Sequence, residues 1–396
     1  MKCLFTIVPS LSHLHAVVPI ARELASRGHL VAFATASRFR SAVAAAGFEC
    51  YGAGLDWVAE ETGHAFAPSD FGDRCAPAMV DDLLALSGRF MLDLIVCDLL
   101  ELGGWIAAEK LGIPHAVIGL SGGVALPIDW QRNAFGATLN RLRARHGLPA
   151  DPDLDRLYRY LRIDLIPPGF RPPAVDPGPH THDVRPVSVD GFSSASVPSW
   201  LHDLPFARSV LVTLGTVFNG DREAFDVCLS ALASERVNVI VAVGKSQNPD
   251  SFGPQPPHVR IERYVPFSLL AHRVDALVSH GGYLTVMTFL GAGVPMLLVP
   301  LAADHPLNAM RLAKMGAAAT LRRSDLSPDS VRRAVRNLLD NPQYRTAAQK
   351  IRSGMLTQPG PDHAAALLEQ LARDRRPIPS PTSSPIPRMT AAIGHS

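Results

Sequence analysis

No surplus of charge, no cysteine pair and no long apolar run stands out in this 396-residue sequence. Lysine and arginine number 38 against 36 acidic residues, for a net charge of +2. Without a basic excess the chain cannot neutralise a phosphate polymer, which excludes a nucleic-acid scaffold and an electrostatic membrane anchor. The five cysteines (Cys3, Cys50, Cys75, Cys97, Cys228) are odd in number and include no C-x-x-C. That argues against a disulfide framework or a zinc knuckle. No apolar stretch approaches the roughly 18 residues of a membrane span, and MKCLFTIVPS reads as a buried first strand rather than a cleaved leader. A soluble, cytoplasmic protein is expected. The phosphate loop G-x-x-x-x-G-K-[ST] is missing, which excludes that class of nucleotidase. Glutamate is absent between Glu262 and Glu369.

What is present is 47% hydrophobic residues in a length sufficient for two cores. The same pattern opens both halves. KCLFTIVP breaks at Ser10-Leu11-Ser12, VVPIARELASRGH repeats apolar residues at helical spacing with Gly28 at its end, and LVAFAT returns as a strand. SVLVTLGT, AFDVCLSALAS and VNVIVAVG repeat strand, helix and strand after residue 208. Further units follow in LIVCD, LGGWIAAEKLG and PHAVIG, and in ALVSH, PMLLVP and NAMRLAKMG. Short apolar runs without alternation mark strands covered on both faces, so two doubly wound α/β modules are expected. The expected divisions are an N-terminal domain over 1–186, a Pro-rich linker over 187–206, a second domain over 207–361, a helix over 362–375 and a Pro- and Ser-rich disordered tail over 376–396.

Ligands of open α/β sheets collect at the carboxyl ends of the strands. His13 follows the first strand and has the side chain best suited to general base work near neutral pH, although a loop histidine can also stand there with no chemical task. Asp98 ends LIVCD. It could orient a histidine ring or simply cap the next helix. In the second module His280-Gly281-Gly282 lies between strand and helix, where free N–H groups and the helix dipole favour an anion; the alternative is a tight turn. Thr285 adds a hydroxyl. Gly293-Val294-Pro295 opens another strand, whose end carries Asp304-His305, suited to sugar hydroxyls. Asp151-Pro152-Asp153 has the spacing of a metal pair but sits in a Pro-rich loop, where a solvated turn is expected.

The ordered series H-G-G, G-V-P, D-H and N-A resembles the donor signature of inverting, nucleotide-sugar-dependent glycosyltransferases of the GT-B fold, close to the bacterial enzymes that decorate natural products. The resemblance extends to P-x-x-S-H-x-H, to VTLGT and to Tyr264-Val265-Pro266, and spans most of residues 1–370. It implies two Rossmann-like domains facing across a cleft, with the C-terminal helix packing back on the first. It makes His13 the base and Asp98 its partner, with His15 beside them as a packing or acceptor neighbour. Gly215, Thr216, His280, Gly281, Gly282 and Thr285 would cradle the diphosphate, the Val265 backbone would pair with the pyrimidine, and Asp304 and His305 would hold the sugar. Ser12, Ala16, Leu284, Thr288 and His305 depart from the family pattern. Thr288 replaces a Glu that holds ribose hydroxyls, which favours a dTDP-sugar over a UDP-sugar. No metal and no cofactor beyond this co-substrate is implied, and a homodimer stays open. The acceptor would be a hydrophobic small molecule held by the loops over 51–92 and 121–145, with Trp57, Phe66, Phe71, Phe90, Trp130 and Phe135. A non-catalytic nucleotide-binding relative is the alternative, and a nucleotide-sugar epimerase would need acidic residues mostly missing here.

Overall fold

The structure is a computed structural model that describes residues 1–62, 68–88, 91–120, 128–187, 198–215, 217, 219–244 and 247–381. The apolar runs form two sheets whose pairings are all parallel. The first contains β1 (Lys2–Thr6), β2 (Leu30–Thr35), β3 (Glu49–Gly52), β4 (Leu94–Asp98), β5 (His115–Leu120), β6 (Arg162–Leu165) and β7 (Thr181–Val184), in the order β3-β2-β1-β4-β5-β6-β7. The second contains β8 (Ser209–Thr213), β9 (Asn238–Ala242), β10 (Val259–Glu262), β11 (Ala276–Ser279), β12 (Met296–Leu298) and β13 (Ala318–Thr320), in the order β10-β9-β8-β11-β12-β13. In each sheet the chain builds one wing, returns to the centre and builds the other. The carboxyl ends of β1 and β4, and of β8 and β11, therefore flank the two points where a crevice opens.

One apolar cluster runs from helix Leu11–Ser26 through the C-terminal helix Pro361–Asp374 into the second sheet. The C-terminal helix buries Ala364, Leu368 and Leu371. Its Glu369 carboxylate accepts from Arg27 (3.1 Å) and His29 (2.7 Å) beside the first helix. The crossover back to the N-terminal domain is thus made chiefly of buried side chains, with partly exposed ion pairs at its rim.

Five segments differ from the sequence reading. Residues 51–92 and 121–145, expected to have weak regularity, contain helices Ala76–Ser87 and Ile128–Arg145. β6 occupies a stretch with no strand signal of its own, because it reads Arg-Ile-Asp-Leu, and β7 ends at Val184, where the strand-like VRPVSV begins. Asp164 of β6 is buried yet bonded by Arg162 (2.7 Å) and Arg171 (2.9 Å), so charges that suggest surface are paired inside. Leu201, in a short 3-10 turn of the linker, is buried. Residues 376–381, assigned to the tail by composition, run along the N-terminal domain. The Ile378 amide donates to Tyr160 and the Ser380 amide to Pro179, and the Ile378 side chain is buried.

Replacing Leu368 with Ala deletes a fully buried side chain at the crossover and is expected to cost about 2–5 kcal/mol, read as a lowered urea midpoint. An unchanged midpoint would show that this helix does not hold the two domains together.

Candidate active site

At the first crevice the loop after β1 turns into helix Leu11–Ser26 with Ser10 at its N-cap. Ser10 makes no side-chain cap bond; its hydroxyl pairs with that of Ser12 at 2.9 Å. His13 falls in the first helical turn. Because β4 lies beside β1, with Thr6 opposite Cys97, the next residue, Asp98, faces the same crevice. The His13 Nδ1 and Asp98 Oδ2 atoms are hydrogen-bonded. A carboxylate can only accept, so Nδ1–H donates and Nε2 becomes the basic nitrogen of the neutral ring. Backbone N–H groups of Val8 and Leu100, each at 3.2 Å, hold the two carboxylate oxygens. The Asp98 side chain is 1% exposed and that of His13 17%, an orienting group inside and a proton acceptor at the surface of the crevice. His15 is buried in the same helix.

Beside this pair lies a cavity of about 20 Å³, room for one water, whose walls include Val8, Leu55, Trp57, Phe71, Met79 and Glu101. Trp57 and Phe71 meet edge-on at 6.2 Å. Of the other aromatics considered for this region, Phe135 is core, Trp130 stands over it at 5.4 Å, and Phe66 and Phe90 lie outside the described residues. Glu101 was not anticipated. Its buried carboxylate accepts the N–H groups of Gly103 (2.7 Å) and Gly104 (2.9 Å), and burial pushes its carboxyl up. The signal was Glu-x-Gly-Gly at a helix start. Asp151 likewise organises a turn, accepting from the amides of Asp155 (3.1 Å) and Arg156 (3.0 Å).

At the second crevice the loops after β8 and β11 close on each other. Gly215 has φ +80°, and a Cβ there would stand 2.5 and 2.6 Å from the His280 ring. A Cβ on Gly282 would strike His280 Nε2 as well, and Gly281, at φ +91°, lies against the His305 backbone. The glycines are what make room for this imidazole. His280 Nδ1 is 3.0 Å from the Ser279 hydroxyl, and its ring stands perpendicular to that of His305 at 4.5 Å. Helix Tyr283–Gly291 begins at Gly282 and buries Thr285 in its first turn; helix His305–Lys314 begins at Asp304. Two helix N-termini thus meet at this crevice, with the N–H groups and dipole suited to an anion.

Asn308 joins these parts. Its amide donates to the Gly281 carbonyl (2.9 Å) and to the Asp304 carboxylate (2.7 Å). The sequence showed it only as the N of N-A. Val265, after β10, has a buried side chain, and Thr216 lies outside the described residues. The Thr288 hydroxyl donates to Leu284 within its own helix at 2.8 Å. Burial is the leading cause that pushes His280 well below its ordinary value, and it lowers His305 too. The pair is neutral near pH 7 and offers dipoles rather than a fixed charge.

These two crevices, each at the reversal point of a parallel sheet, are those of a GT-B glycosyltransferase. Residues 61–215 and 226–371 match the N-terminal and C-terminal domains described as erythromycin biosynthesis protein CIII-like. The chain is 30% identical to 4'-demethylrebeccamycin synthase of Lentzea aerocolonigenes, over 93% of this chain and 99% of that protein. Among solved structures it resembles spinosyn forosaminyltransferase SpnP (26% identity, TM-score 0.79, 94% and 99% of the two chains). It also shares its fold with glycosyltransferase VinC, solved in complex with dTDP (24% identity, TM-score 0.79, 94% and 100%). The chain belongs to the erythromycin biosynthesis protein CIII-like family and is a glycosyltransferase.

A buried histidine held below 6.5 stays neutral in the folded chain while the unfolded chain takes up a proton. Stability is then complete above pH 6.5 and declines as pH falls. His115, pushed down to about 4 by burial, contributes in the same direction. The thermal midpoint is expected to drop between pH 7.5 and 5, and less steeply in His280→Asn. Equal slopes would mean that His280 does not resist protonation in the fold.

Proposed function

We propose that this enzyme is an inverting O-glycosyltransferase that moves a deoxysugar from a nucleoside-diphosphate donor, dTDP-linked in preference to UDP-linked, to a hydroxyl of a hydrophobic natural-product aglycone. The observation that carries this reading is the His13–Asp98 bond at one crevice, with a glycine-lined histidine cradle at the other. His13 Nε2 takes the acceptor proton while Asp98 holds the ring and stabilises the imidazolium. The acceptor oxygen attacks the anomeric carbon as the bond to the diphosphate breaks on the opposite face, so a single displacement inverts the configuration. Charge developing on the leaving group falls on the cradle formed by Gly215, Gly281, Gly282, Thr285 and His280, and on the helix N-termini. Asp304 and His305 hold the sugar, and the Val265 backbone meets the base.

Two observations support the donor preference. Thr288, in place of a ribose-binding Glu, has its hydroxyl committed to Leu284, and the fold neighbour VinC was solved with dTDP. The Trp57–Phe71 wall supports an apolar, aromatic acceptor.

Mass detection of a glycoside after incubation with dTDP- and UDP-sugars and a panel of aromatic and macrolide aglycones tests the activity. Thermal stabilisation by dTDP without any glycoside would favour a binding protein instead. His13→Ala is expected to lower kcat by about 10²–10⁴ and keep stabilisation by dTDP, whereas His280→Ala is expected to lose that stabilisation. Full turnover in His13→Ala would remove His13 as base. Stabilisation by dTDP should exceed that by UDP; equal shifts would sink the donor preference.

A further inference from the structure

The segment from Leu165, the last residue of β6, to Phe170 belongs to the first domain, yet the second half of the chain supplies the donors to four of its carbonyls. The Tyr283 hydroxyl donates to Leu165. The Gln358 amide donates to Ile166 at 3.0 Å. The Arg311 guanidinium donates to Gly169 and Phe170, both at 2.7 Å. Pro168 packs so closely on Gly354 that a Cβ there would lie 3.2 Å from its ring. Tyr283 and Arg311 are both buried.

The receiving segment is itself braced. Asp164, immediately before it, is fully buried and held by Arg162 (2.7 Å) and Arg171 (2.9 Å), and Arg171 also bonds Asp183 of β7. The donors are equally placed for transmission. Tyr283 directly follows Gly282 of the cradle. Arg311 lies one turn beyond Asn308, which binds both Gly281 and Asp304. Each helix whose N-terminus faces the second crevice therefore has one end at the cradle and a buried side chain on the same braced strap of the other domain.

We infer that Tyr283 and Arg311 are positioning residues: they register the donor cradle against the strap Leu165–Phe170, so that a bound donor is held in line with the His13–Asp98 pair of the acceptor domain. They touch neither substrate. Their removal leaves the cradle intact but lets the donor domain shift, and a displacement of about 1 Å can cost as much as two orders of magnitude in rate. The kinetic half of this inference rests on the transfer reaction proposed above; the coupling half rests only on nucleotide binding at the cradle.

Hydrogen exchange on the full chain with and without dTDP tests the coupling. In the wild type dTDP is expected to protect residues 279–291 and also residues 162–171. In Tyr283→Phe, which keeps the ring and loses only the hydroxyl, and in Arg311→Gln, protection of 279–291 should persist while that of 162–171 is lost. Kinetically, each variant should lose about tenfold in kcat with the Kd for dTDP within about twofold, and Arg311→Lys, able to reach one carbonyl, should recover part of the loss. Protection of the strap that is absent from the wild type, or unchanged in the variants, overturns the inference. So does a fall in dTDP affinity that accounts for the whole loss of kcat, or no loss at all. If Arg311→Gln fails to fold, Tyr283→Phe decides alone. Wild-type coupling without any glycoside formed would leave the coupling half standing and refute the proposed transfer reaction together with the kinetic half.

Discussion

A parallel ladder requires the chain to cross back over a face of the sheet before the next strand can pair, and the position of every functional group here follows from that requirement. Each crossover delivers a helix N-terminus to the carboxyl end of a strand. Where the chain starts at the centre of a sheet and winds outward in both directions, two such ends diverge and leave a crevice. Asp98, at the end of β4, and His13, in the helix that follows β1, meet at one crevice because β4 pairs with β1. The cradle forms at the other because β11 pairs with β8, which brings His280 to Gly215. The fold does not place these residues by separate devices; it repeats one geometry with different side chains.

The two crevices use burial in opposite ways. At the first, a buried carboxylate is held by two amides and a histidine, so that the charge stays inside and the partly exposed imidazole meets the solvent side. At the second, two histidines are buried against each other, and burial pushes both below their ordinary value, for His305 against the pull of the neighbouring Asp304. A neutral cradle suits an anion that must arrive, be held and leave: N–H dipoles stabilise its charge without a fixed cation to trap it. On the proposed reading, a chain with a net charge of only +2 needs no basic surplus to hold a diphosphate. Local dipoles at helix ends, not total charge, set the affinity for a small anion.

How much of this was legible in the sequence depends on where each signal resides. The paired β-loop-α openings, His13, Asp98 and the H-G-G turn could be read because apolar periodicity and glycine at a strand end have direct physical causes. The role of Glu101 was hidden because its partners are backbone N–H groups, and that of Asn308 because its link to the first loop is made to the Gly281 carbonyl, a group that any residue could supply. β6 was hidden for a different reason. Arg162 and Asp164 have the composition of a surface loop, and only Arg171, from the turn that follows, makes their burial tolerable. Helices Ala76–Ser87 and Ile128–Arg145 lacked a strong enough stripe to be separated from the loops around them.

The relation between the two domains was the least legible part, and the reason is chemical. Side-chain-to-side-chain contacts leave a pair of polar residues in the sequence for a reader to notice. The strap Leu165–Phe170 instead offers main-chain carbonyls, which are the same whatever residues surround them, and only the donors Tyr283, Gln358 and Arg311 have an identity. Tyr283 and Arg311 stand inside the donor signature, where each could be taken for an ordinary helix position. Carbonyl acceptors also have a physical advantage. Their direction is set by β6 and the turn after it rather than by a rotamer, and a buried guanidinium that meets two of them satisfies several donors at one rigid edge. An orientation fixed in this way tolerates change in the strap's side chains while the distance between the two crevices is kept.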